Sequence, residues 1–188
     1  MATIEQRLAA LEAEMQLVRD RREILDCVAA HARGCDRHDS ELLSGAYHAD
    51  GVDEHGFAIN PGPAYADWAN DQHMRGSVHN QHHITTHSVE IDGDVAHAES
   101  YVIGTFLNRD MATGRILTGR YIDRLEKRDG RWAIAVRRST VEVALVADAS
   151  FITGPKFKEF GYLAGMRDKR DLSYRRPLGM KDYGHERW

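Results

Sequence analysis

Apolar residues at the start of the chain recur every three or four positions. Ile4, Leu8, Leu11, Met15 and Val18, then Leu25 beyond a break at Arg22, form the seam of one long amphipathic helix. Such a seam covers either its own domain or a neighbouring subunit. The helix runs on through Ile24, Leu25 and Val28, and Gly34 is expected to end it, leaving Cys35 and Asp36 just past the last turn. A short helix from Ser40 to Ala46 follows. A third is expected from Ala64 to Asp71, entered through Pro61 and Pro63, where a missing amide proton costs nothing.

From residue 82 the period falls to two. HHITTHSVEI, DVAHAESYVIGTF, RILTGRYIDRLEK and RWAIAVRRSTVEVALV read as four strands. Asp92–Gly93 and Asp129–Gly130 mark hairpin turns, and NRDMATG a looser one. Helices followed by an antiparallel meander predict an α+β fold in which a curved sheet wraps around the helices and leaves a pocket between them. Residues 1–150 are expected to form this domain. Residues 151–188 are charged and aromatic without a clear period, and their Tyr and Leu content predicts a segment packed over the barrel or a neighbouring subunit.

Charge narrows the partners. A formal net charge of −4 without a basic stripe excludes nucleic acid as an expected ligand. The N-terminal MATIEQRLAALEAEM lacks the unbroken apolar run of a signal peptide or membrane span, which predicts a cytoplasmic protein with no membrane partner. The two cysteines, Cys27 and Cys35, match neither a disulfide framework nor a zinc motif and are expected to be buried thiols.

Candidate chemistry sits in QHHITTHSVEIDGD, residues 81–94. On a strand His83, Thr85 and His87 point one way and His82, Ile84 and Thr86 the other, so one of the adjacent histidines faces a pocket. The local metal signatures HxH and HExxH are absent, and no metal is expected. On their own, these imidazoles fit a surface cluster or satisfied core residues.

Three runs change that reading: AAHARGCDRHDSELLSGAYHADG, HHITTHSVEIDGDVAHAESYV and GRYIDRLEKRDGRWAIAVR. Together they resemble the SnoaL-like branch of the nuclear transport factor 2-like superfamily over roughly residues 5–145, most sharply in the pattern GRYxDxxxxxDGxWxIxxR. The resemblance implies a cone-shaped α+β barrel, commonly a trimer or dimer, that works without a cofactor. It implies a catalytic pair, Asp36 with His83, in which the carboxylate holds the imidazole in one tautomer and the ring moves a proton. His31 stands where relatives carry Lys or Tyr, which implies a different substrate. Arg137 matches a pocket arginine able to bind an anionic leaving group or oxyanion. Tyr101 and Tyr121, if their strand faces line the cavity, would donate to a substrate carbonyl or phenolate.

The implied function is a cofactor-independent, dehydratase-like lyase or isomerase acting on a small hydrophobic, ring-bearing substrate. A retro-aldol C–C lyase on aromatic compounds or a polyketide-type cyclase would use the same Asp and His. A non-catalytic small-molecule binding module and the small subunit of a ring-hydroxylating oxygenase share the fold, and fold alone does not choose among them. A homo-oligomer is expected, a trimer before a dimer.

Overall fold

A computed structural model describes residues 1–181 and 184–188. It begins with helix α1 (Ile4–Arg37), started by a capping box between Thr3 and Gln6. The seam does not cover its own domain: Leu8, Leu11, Met15 and Val18 are all more than half exposed. From Asp20 onward the helix is packed, and Ile24, Val28, His31, Ala32 and Cys35 are buried.

Gly34 does not end α1. The helix continues to Arg37 and stops at His38, whose φ of 48° is left-handed and whose amide donates to the Gly34 carbonyl. Gly34 serves close packing instead, since a Cβ there would lie 2.6 Å from the Cβ of Leu43 in α2 (Ser40–Ser44). Asp36 therefore projects from the last helical turn, with a regular backbone to aim it.

One curved, unclosed sheet holds six strands in the order β2-β1-β6-β5-β4-β3. The meander consists of β3 (Ser77–Asp92), β4 (Val95–Asn108), β5 (Thr113–Arg128) and β6 (Arg131–Asp148). The turn at Asp129 and Gly130 has φ of 52° and 77°, the double positive that a two-residue hairpin favours. Two strands went unpredicted: β1 (Tyr47–His55), which pairs in parallel with β6, and β2 (Ala58–Pro61), which pairs with β1. Between β2 and β3 lies α3 (Gly62–Gly76), longer at both ends than the apolar period suggested.

The core gathers Ile24 and Cys35 of α1 and Tyr65 and Ala69 of α3 against Ala96, Ala98, Leu125, Trp132 and Ile134 of the sheet. Asp20 pins the packed part of α1 to the sheet, accepting hydrogen bonds from Trp132 Nε1 and Lys127 Nζ, both at 2.8 Å. Beyond β6 the chain returns to the C-terminal end of α1. There Arg37 donates to the Met166 carbonyl and to Asp171, while Lys169 and Tyr174 both donate to Asp39. Among the described residues no helix is long and apolar enough to cross a membrane.

Deep on the inner face, Arg137 and Asp123 are fully buried and joined twice, Nε to Oδ1 at 2.7 Å and Nη2 to Oδ2 at 2.6 Å. Removing one partner leaves an uncompensated charge in the core. Asp123→Ala is expected to cost about 3–5 kcal/mol of unfolding free energy, measured by denaturant titration. A loss below about 1 kcal/mol would show that the pair is hydrated in solution.

Candidate active site

A cavity of about 170 Å³ lies between α3 and the inner face of the sheet. Its polar lining includes His55, His73, His82 and Tyr121, and Val102, Phe106 and Leu117 make much of its apolar wall.

Asp36 reaches this wall from the end of α1. His82 Nδ1 lies 2.7 Å from Asp36 Oδ1, and the His82 amide donates to Oδ2 at 3.0 Å. Asn80 Nδ2 donates to Oδ1 at 3.1 Å. A carboxylate only accepts, so His82 carries a proton on Nδ1, which leaves Nε2 as the nitrogen available to a molecule in the cavity that His82 lines. Asn80 is itself oriented: Arg167 Nη2 donates to its Oδ1 at 2.5 Å, and Arg167 Nη1 donates to the Ser77 carbonyl at 2.9 Å. Desolvation brings the Arg167 guanidinium down to about 10, which leaves it charged at neutral pH.

His83, the expected partner of Asp36, is exposed and points away from it. The reason is an irregularity in β3 between Ile84 and His87. Beyond it His87, Val89 and Ile91 face inward, and before it Asn80, His82 and Ile84 do. Counting back by twos from the apolar Val89 and Ile91 reaches His83, but the bulge shifts the parity and turns His82 inward instead.

The other expected substrate contacts separate. Tyr121 lines the cavity. Burial pushes its phenol far up, so it stays a hydrogen-bond donor. Tyr101 lies on the outer face, 45% exposed, because β4 turns Ala96, Ala98, Ser100 and Val102 inward. Arg137 is sealed behind the cavity, with its guanidinium 4.1 Å from the Tyr121 ring centroid. It supports Tyr121 and does not line the cavity. His31 is likewise fully buried, stacked on Tyr65 with centroids 5.2 Å apart. Burial first, then the Arg137 charge, holds His31 well below the usual imidazole range, so it is a neutral core group.

A second carboxylate–imidazole pair was not foreseen. Asp53 Oδ1 lies 2.6 Å from His55 Nδ1, and Ser139 Oγ is 3.2 Å from the same nitrogen. The Tyr47 hydroxyl donates to Asp53 Oδ2, and His31 Nδ1 lies 2.9 Å from that hydroxyl. The signal was present in YHADGVDEHG: Asp53 and His55, two apart, share one face of a strand. Among the described residues no group of three His, Cys, Asp or Glu side chains is placed to hold a metal ion.

Residues 16–138 match the model of the SnoaL-like domain. No curated protein matches the chain. Among solved structures, a Mycobacterium tuberculosis protein of unknown function, Rv3472, is 28% identical, with a TM-score of 0.58 over 69% of this chain and 75% of that one. A type 2 hexachlorocyclohexane dehydrochlorinase is 18% identical, with a TM-score of 0.67 over 71% of this chain and 93% of that one. A scytalone dehydratase-like protein of Novosphingobium aromaticivorans is 19% identical, with a TM-score of 0.63 over 71% and 90%. At these identities the last two share the fold.

Burial makes several histidines sensitive to acid. Desolvation, with the charges of His82, His38 and Arg167 adding to it, lowers His73 to about 2, and desolvation lowers His38 to about 4. The unfolded chain takes up these protons near pH 6.5 and the folded chain resists, so stability is lost as pH falls below that value. Each such group contributes a slope of up to about 1.4 kcal/mol per pH unit. The melting temperature is expected to fall between pH 7 and 4.5, and His73→Gln to flatten that fall. An unchanged slope in the variant would assign the acid sensitivity to other groups.

Proposed function

The chain belongs to the SnoaL-like domain family, and from that premise and its cavity we propose that it is a cofactor-independent lyase or isomerase of the dehydratase type. The observation that carries this reading is the Asp36–His82 pair opening onto the cavity. His82 Nε2 takes a proton from a carbon made acidic by an adjacent carbonyl, and Asp36 stabilises the imidazolium that results. The Tyr121 hydroxyl donates to the carbonyl oxygen as negative charge gathers there. An apolar cavity of about 150 Å³ holds one benzene ring. The cavity here, about 170 Å³, suits a single ring with few substituents.

Cyclohexanone in D₂O tests this directly, because loss of its α-protons to exchange reports carbon deprotonation without any leaving group. His82→Gln and Asp36→Asn should each lower the exchange rate by roughly 10²- to 10⁴-fold, with or without EDTA. His83→Ala should stay near the parent rate. Exchange that survives in His82→Gln, or collapses in His83→Ala, would remove Asp36–His82 from the mechanism.

The reading includes a cytoplasmic homo-oligomer, a trimer before a dimer, with the exposed seam of α1 as a subunit contact. Ile4, Leu8, Leu11, Met15 and Val18 leave a continuous apolar stripe that a lone chain hides nowhere. Light scattering on Leu8→Glu/Leu11→Glu should show a smaller particle than the parent. A monomeric parent would overturn this part of the proposal.

A further inference from the structure

In the sheet, β1 and β3 are separated by β6, β5 and β4. Curvature nevertheless brings His55 of β1 and His82 of β3 to the wall of one cavity. Each imidazole is held through Nδ1 by its own carboxylate, Asp53 at 2.6 Å and Asp36 at 2.7 Å. The carboxylate of Asp53 has no exposed surface, whereas the His55 side chain is 25% exposed. With Nδ1 engaged, His55 presents Nε2 for exchange with a bound molecule.

An elimination that begins at His82 needs only one base if a halide leaves, because a halide departs without a proton. Hydroxide is a far poorer leaving group, and a hydroxyl departs readily only when a proton reaches its oxygen. A second carboxylate-backed imidazole on the same cavity supplies such a donor. Burying Asp53 beside His55 also costs desolvation, which a wall residue serving shape alone would avoid.

We propose that His55, held by Asp53, is the second catalytic residue, the acid that protonates a departing hydroxyl, and that the site takes single-ring β-hydroxy ketones and dehydrates them. This rests on the lyase reading of the Asp36–His82 pair. His82 Nε2 removes the α-proton, and the electrons of that C–H bond form the carbon–carbon double bond. The C–O bond breaks, and the proton on His55 Nε2 passes to its oxygen, releasing water and the conjugated enone. His82 ends protonated and His55 neutral, and exchange with solvent restores both.

The test compares 3-hydroxycyclohexanone with 3-chlorocyclohexanone, each followed by the absorbance of cyclohexenone and corrected for the spontaneous reaction. His55→Gln, checked for folding by circular dichroism, should cut the ratio of hydroxy to chloro turnover by roughly 10²-fold or more. Asp53→Asn is the second variant and should cut the ratio in the same direction. His82→Gln should depress both reactions and leave their ratio within a few-fold. Equal losses on the two substrates in His55→Gln, or no loss on the hydroxy ketone, overturn the proposal even if His82-dependent exchange of cyclohexanone persists. Parent protein that neither eliminates from these ketones nor exchanges cyclohexanone overturns the lyase reading, and this proposal with it.

Discussion

A row of charge crosses the inner face of the sheet, and the interior is organised around it. Asp123, Arg137 and Asp53 are register neighbours on β5, β6 and β1. A guanidinium cannot shed its proton in a protein, so once Arg137 is sealed inside, compensating groups must be built around it. Asp123 neutralises it through two hydrogen bonds, and the Tyr121 ring lies against its face. Tyr121, which lines the cavity, is thereby held by its ring. On the other side, burial, reinforced by the same charge, keeps His31 neutral, and His31 closes the chain that runs through Tyr47 to Asp53 and His55. The polar interior is thus one connected system with the cavity at its edge.

Asp36 faces an opposite problem. It occupies the last turn of α1, where the helix dipole is negative and a carboxylate is unfavourable. The Asn80 amide, the His82 backbone amide and the His82 ring offset that penalty by donating to it. All three come from one short run of β3, so packing the helix end against that strand builds the pair without help from a loop.

Period-two patterning made the meander and the α+β class readable because its inward positions are apolar or small. β1 escaped because its inward positions include Asp53 and His55, residues that argue against a strand when burial is unknown. Gly34 looked like a helix stop because spacing cannot distinguish a left-handed glycine from one that admits Leu43. The resemblance pointed to Asp36, which the structure sets against His82 at the cavity wall. The resemblance paired it with His83, whereas the structure pairs it with His82; a bulge between Ile84 and His87 leaves no mark in the hydrophobic pattern that would have shown which of the two faces inward. His31 and Arg137 were singled out by the resemblance, as positions where relatives carry pocket residues. Whether such groups touch a ligand or hold up those that do is decided by three-dimensional depth.

The contact from Arg167 to Asn80 ties the C-terminal segment to the surroundings of Asp36. Residues 16–138 match the family model, and Arg167 lies beyond them. A primary amide has two faces of opposite polarity. By occupying the Asn80 oxygen, Arg167 turns the NH₂ toward Asp36; without it, a rotation of the amide would set oxygen against carboxylate. The matched domain carries Asp36 and His82, and the polarity of the amide that steadies Asp36 is set by a residue outside the matched stretch.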